Sequence, residues 1–389
     1  MDKKAFSLIN IIRNIVSIYF DTFFAIYFFN LTNYEILPLA KYYLVVYIFI
    51  LFSFWILRFN QTIKYKVYYY RIGISLMALY LALIMLLKEN IINHLYLVAI
   101  LKGLSEGCYY YPRNILNSSK ISNEERQKYD GFINAINQVS SIVIPLLLGV
   151  LLTFYSYVEI GKVIFVLMIV IFGLSYYVKD DAENKPRIRP LPFYLKIKKN
   201  KLVKQALYLQ FIRGFTIASG VLTTIMTIYK ILYFESNLYI GLLNGILGLI
   251  TCISCIIYAR SKNFNLFKKV NWITVTLISI SIILLVIKPT NILFIIYLVV
   301  YAVGITFISL YCDKLTVDAS NLDFIKDHKA EYHLVLETSL GISRIFGYIL
   351  LLIIGLICNG ELLKYLLLLC IIPLWLLVIA VNKENKFNI

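Results

Sequence analysis

The sequence has little charge, little histidine and no nucleotide-binding signature. Only 15% of its 389 residues are Asp, Glu, Lys or Arg, while 60% are hydrophobic. A soluble domain cannot cover that much apolar surface, so the soluble globular classes are excluded. Acidic residues are scarcest, 21 against 38 basic, which leaves a net charge of +17. His94, His328 and His333 lack zinc-like spacing. The six cysteines lie in or beside apolar runs. Cys252 and Cys255 form a CxxC without a second pair, and read as small packing residues. A P-loop, a kinase signature and a dinucleotide fingerprint are all missing, which argues against ATP-driven transport by this chain alone. No nucleophile–base set stands at one depth, so an enzyme is not expected, and no cofactor or metal is implied.

What the chain does have is long apolar runs. Each is about 20 residues, enough to cross a bilayer as a helix. Twelve spans are expected, roughly at 5–29, 38–58, 67–87, 92–116, 130–153, 161–178, 204–230, 237–259, 270–288, 292–316, 332–357 and 362–381. The fold class is therefore all-α and polytopic, in the lipid bilayer. The first run is too long for a signal-peptide core and lacks a small-residue cleavage site, so it should remain as a span.

The positive charge has a simple distribution. Of the lysines and arginines, 26 fall in loops on one side, 6 on the other, and 6 inside spans. This positive-inside bias places both termini and the central linker in the cytoplasm, and it replaces nucleic acid as the reason for the charge. Abundant Ile, Lys, Asn and Tyr suggest an AT-rich bacterial genome, hence a multi-pass protein of the bacterial plasma membrane.

Residues 179–203 form the only long linker. They divide the chain into an N-terminal six-helix bundle, 1–178, and a C-terminal one, 204–389. The prolines of KPRIRPLP are expected to resist helix. The following KIKKNKLVK either lies on the membrane surface or is a solvated basic loop.

The two bundles look like repeats. Tyr96, Leu97, Val98, Gly103, Tyr110 and Arg113 match Tyr297, Leu298, Val299, Gly304, Tyr311 and Lys314 at a constant offset of 201. Ile12 and Arg13 match Ile212 and Arg213 at 200, and Arg58 matches Arg260 at 202.

Twelve spans in two repeated halves, with a basic central linker, resemble the major facilitator superfamily. The loop after the second span, Arg58 to Lys66, keeps the basic charge of the family's loop motif but not its glycines or aspartate. Lys102 with Gly103 or Gly107 is a loose counterpart of the family's fourth-span Arg-Gly. Pro145 and Gly149 are similar to an exporter motif. Residues 122–149 and 328–348 resemble a group of bacterial members and imply no substrate. The resemblance implies a secondary transporter with a central cavity lined by the first, fourth, seventh and tenth spans.

Those spans carry polar stripes. The first has Asn10, Asn14, Ser17 and Asp21; the fourth has Lys102, Glu106, Tyr110 and Arg113; the seventh has Arg213, Thr216, Gly220, Thr223 and Thr227. The fifth adds Asn134, Asn137, Gln138 and Ser141, and the eleventh Glu337 and Arg344. Polar groups in hydrocarbon need partners or water, so each stripe faces either a cavity or another helix. A charge at mid-membrane costs about 2.5 kcal/mol or more, and Asp21, Lys102, Glu106 and Arg344 lie within about 6 Å of mid-depth. Arg113, Asp313 and Lys314 lie near helix ends and suit anchoring.

Asp21, Lys102 and Glu106 have no repeat counterpart; Val221, Val303 and Phe307 stand there. The expectation is that Asp21 and Glu106 carry protons and that Lys102 tunes them. Arg13, Asn14, Tyr110, Arg213, Arg344 and Glu337 are the expected substrate-cavity residues. The function expected is proton-coupled movement of a small molecule by a monomer. Export of a cationic or amphipathic compound fits the acids and Tyr109–Tyr111. Uptake of an organic anion fits Arg13 and Arg213. A sensor or assembly protein on a transporter fold is the remaining alternative.

Overall fold

The computed structural model describes residues 2–59, 65–120, 123–179, 190–217, 220–234, 236–260, 264–326, 328–357 and 363–382. All regular structure among them is helical. Eleven continuous stretches are long and apolar enough to span a membrane. One of these, Lys66–Asn117, is 52 residues long and holds two helices, Lys66–Leu87 and Leu95–Lys120, joined by a 3-10 turn at Lys88–His94. Counting them separately gives the expected twelve.

The spans group into two compact units. The first comprises Met1–Pro186 with Phe234–Gly245, and the second Arg187–Tyr233 with Ile246–Ile389. The division falls in the expected linker, but the start of the eighth span, Asn237–Arg260, clusters with the first unit. Glycine contact explains this. A Cβ on Gly241 would stand 2.6 Å from the Pro145 carbonyl oxygen, so only glycine lets the backbones meet there.

The first unit is held by aromatic packing. Tyr157 is stacked between Tyr19 and Tyr27, with ring centroids 4.6 and 4.5 Å away. Phe20, Phe24, Tyr42 and Tyr80 pack beside this stack, and the Tyr42 and Tyr80 hydroxyls share a hydrogen bond of 2.8 Å. A buried phenol needs such a partner, because hydrocarbon offers none.

Two spans depart from the uniform helices expected. The first span, Asp2–Leu31, widens into a π turn at Phe20–Phe24, which carries Asp21. The seventh stops at Thr216 and resumes at Val221. Its freed Thr216 carbonyl accepts a hydrogen bond of 3.0 Å from the Tyr301 hydroxyl. A break in a span persists only where neighbouring groups satisfy the backbone in this way. Gly220 has no room for a Cβ, which would overlap the Phe215 carbonyl.

The linker also differs from expectation. Pro190–Ile197 is helical. Proline is excluded from a helix interior but suits its first turn, where the missing N–H has no partner to lose. Pro190 and Pro192 therefore begin this helix instead of preventing it. Residues 60–64, 180–189 and 383–389, Cys358 and the Asn134 side chain lie outside the described residues.

Candidate functional site

The first and fourth spans bring three ionised side chains together in the first unit. Arg13 on the first span donates to Glu106 Oε1 at 2.7 Å, and Lys102 donates to the same oxygen at 2.5 Å. Lys102 and Glu106 are four residues apart on one helix, so the spacing alone makes them neighbours. Arg13 comes from 93 residues away and joins them only through packing. The side chains are sealed, with 4% exposure for Arg13, 9% for Glu106 and 10% for Lys102. Glu106 Oε2 is also buried and accepts no hydrogen bond from a described residue.

Aromatic rings complete the cluster. The Lys102 ammonium lies 4.8 Å from the Phe20 ring centre and 5.6 Å from that of Tyr80. The Arg13 guanidinium lies 5.1 Å from Tyr109 and 5.9 Å from Tyr110. Such contacts stabilise a cation where water is excluded. Arg13 also donates to Ser17 Oγ at 2.6 Å.

Asp21 behaves differently. It lies on the exposed side of the first unit and makes no hydrogen bond or ion pair among the described residues. It is within electrostatic range of Lys102, Glu106 and Arg13. Lys102 is therefore committed to Glu106, while Asp21 feels the cluster without closing on it. Asn14 and Tyr110 are half-buried beside this group.

The polar stripes also make scaffold contacts. Asn10 Oδ1 accepts from Arg113 Nε at 2.8 Å and from the Tyr109 hydroxyl at 3.1 Å. Arg113 is thus tied to the first span.

The second unit carries its own ion pair. Arg213 pairs with Asp313 and donates to Ser309 Oγ at 2.8 Å. Arg213 is the repeat counterpart of Arg13, yet Asp313 stands six positions beyond Phe307, the counterpart of Glu106. The pair is more open, with 16% exposure for Arg213 and 54% for Asp313. Glu337 and Arg344 are half-buried, and Glu337 is within electrostatic range of Arg344 and Arg213. Each of these arginines holds a carboxylate of its own unit, Arg13 that of Glu106 and Arg213 that of Asp313.

Asp313 is expected from the sequence as an anchor, and Tyr80 and Phe20 have no expected role. Asp313 was visible as a charge in a span. The rings gave no signal, because apolar helices are full of aromatics. Among the described residues no group of three His, Cys, Asp or Glu side chains could hold a metal ion. Cys252 and Cys255 are half-buried.

The first unit is thus a set of helices long and apolar enough to cross a membrane, with ionised side chains sealed among them. The chain belongs to the Major Facilitator Superfamily, whose family model matches residues 9–320. Solved transporters share the fold over nearly the whole chain. A bacterial metal transporter is 15% identical, with a TM-score of 0.61 and coverage of 100% of this chain and 99% of the other. A bacterial homologue of the iron transporter ferroportin, inward-facing, is 15% identical, with a TM-score of 0.62 and coverage of 98% and 97%. The nucleoside transporter NupG is 13% identical, with a TM-score of 0.68 and coverage of 99% of each chain. No curated protein sequence matches the chain.

Proposed function

We propose that this transporter exchanges protons for a cationic or amphipathic small molecule by alternating access, and that its physiological direction is efflux. The observation that carries the reading is the contrast between Asp21 and Glu106. Glu106 is sealed between Arg13 and Lys102, whereas Asp21 is exposed and unbonded among the described residues. A carboxylate cannot face hydrocarbon cheaply, so the Asp21 side of the unit is its water-accessible side. Asp21 is the proton carrier in this reading. Glu106 is a fixed anion that holds two cations in place, and no longer an equal partner in proton transfer.

Charge count supplies the coupling. Arg13, Lys102 and Glu106 together carry one net positive charge, which ionised Asp21 balances. Protonating Asp21 leaves that positive charge uncompensated, and a cationic substrate is repelled. Releasing the proton restores neutrality and lets the cation approach. Binding of one ligand therefore opposes the other, and the opposition is reciprocal. The cations that suggested an organic anion are occupied by carboxylates within their own units, which favours the cation.

The test is transport in proteoliposomes under an imposed pH gradient. The panel would hold a lipophilic cation, a divalent metal ion, a nucleoside and a carboxylate ester. Gradient-driven movement of the lipophilic cation is expected. Asp21→Asn, which fixes the site in its neutral, cation-repelling form, should abolish gradient-driven transport and weaken binding of the lipophilic cation. Full gradient-driven transport by D21N would sink the proposal.

A further inference from the structure

We infer that the short linker helix Pro190–Ile197 and the lysines that follow it form a binding surface for anionic phospholipid headgroups. The helix uses one edge to attach to the second unit. Phe193 and Ile197, four residues apart, are buried, and the Phe193 ring lies 5.7 Å from that of His328. The remainder faces outward. Leu191 is 66% exposed, Leu195 45% and Tyr194 38%. Three large apolar side chains on one short helix are a surface in need of an apolar partner.

The charge beside them says which partner. Lys196, Lys198, Lys199, Lys201 and Lys204 are all exposed. The Lys198 ammonium lies 5.6 Å from the Tyr194 ring centre, which places the cation at the rim of the apolar surface. Asn200 caps the seventh span by accepting from the Leu202 and Val203 amides, so the lysines lead directly into a membrane helix. Apolar side chains under a row of lysines, beside a span, match the interface of a bilayer containing anionic lipid. The leucines and tyrosine enter the acyl boundary and the ammonium groups meet the phosphates. A solvated loop would have lysines without the exposed leucines. The surface is independent of the proton-exchange reading.

The test uses the full chain with its three tryptophans changed to phenylalanine and Tyr194→Trp as the reporter. It is reconstituted in phosphatidylcholine vesicles containing brominated phosphatidylglycerol or, separately, brominated phosphatidylcholine at the same fraction. Phosphatidylglycerol should quench more strongly, by about twofold or more at low salt, because it is attracted by several lysines at once. The combined variant K196Q/K198Q/K199Q/K201Q should quench equally with both. A second measurement needs no tryptophan changes: phosphatidylglycerol retained by the purified protein in native mass spectrometry should fall in the same four-lysine variant. Equal quenching by the two lipids before lysine substitution would overturn the proposal. Quenching by aqueous iodide and by neither lipid would overturn it too, as would unchanged lipid retention.

Discussion

Glu106 carries two cations on a single oxygen, and that fixes what its loss would do. Replacing it with glutamine leaves Arg13 and Lys102 buried and uncompensated. Breaking a buried pair by removing one partner costs about 3–5 kcal/mol. Glu106→Gln should therefore lower the melting temperature of the purified protein, as followed by a thermal scan in detergent. Adding Lys102→Met should recover part of the loss, since one of the stranded charges is removed. An unchanged melt for E106Q would mean that the cluster does not bear on stability. Asp21→Asn removes no bond among the described residues and should melt as the parent does. The contrast separates a structural carboxylate from a functional one, although both are acids in apolar helices.

At the scale of the element, close approach governs the first unit. The third and fourth spans meet where a Cβ on Gly73 would lie 2.5 Å from the Tyr109 backbone nitrogen. Tyr109 also stacks on Tyr70 at 5.0 Å and flanks Arg13. Gly73→Val should push the fourth span away and disturb the cluster with it. The expected result is a marked fall in monodisperse yield on size-exclusion chromatography, whereas Leu79→Val, at an exposed position of the same helix, should leave the yield intact. The π turn at Phe20–Phe24 belongs to the same scale. It puts Phe20 over Lys102 and Asp21 on the open side within two consecutive residues.

For the whole molecule, the charge bias between loops predicts that both termini face the cytoplasm. A green fluorescent protein fused after residue 389 should glow, and alkaline phosphatase fused at the same place should stay inactive. The reverse pattern would invert the topology.

The sequence by itself determined the twelve spans and the stretch holding Lys102 and Glu106. Those features are local: hydropathy is read over about 20 residues, and a spacing of four puts two side chains on one face. It also marked Asp21 as anomalous through its missing repeat partner. Only the tertiary structure decided that Arg13 binds Glu106, that Lys102 is screened by Phe20 and Tyr80, and that Arg213 finds Asp313 six positions beyond the symmetric site. Each is a contact between spans distant in sequence. In a chain where nearly every span is apolar, hydropathy cannot say which faces meet; close glycine contacts and buried charges that must find a partner do.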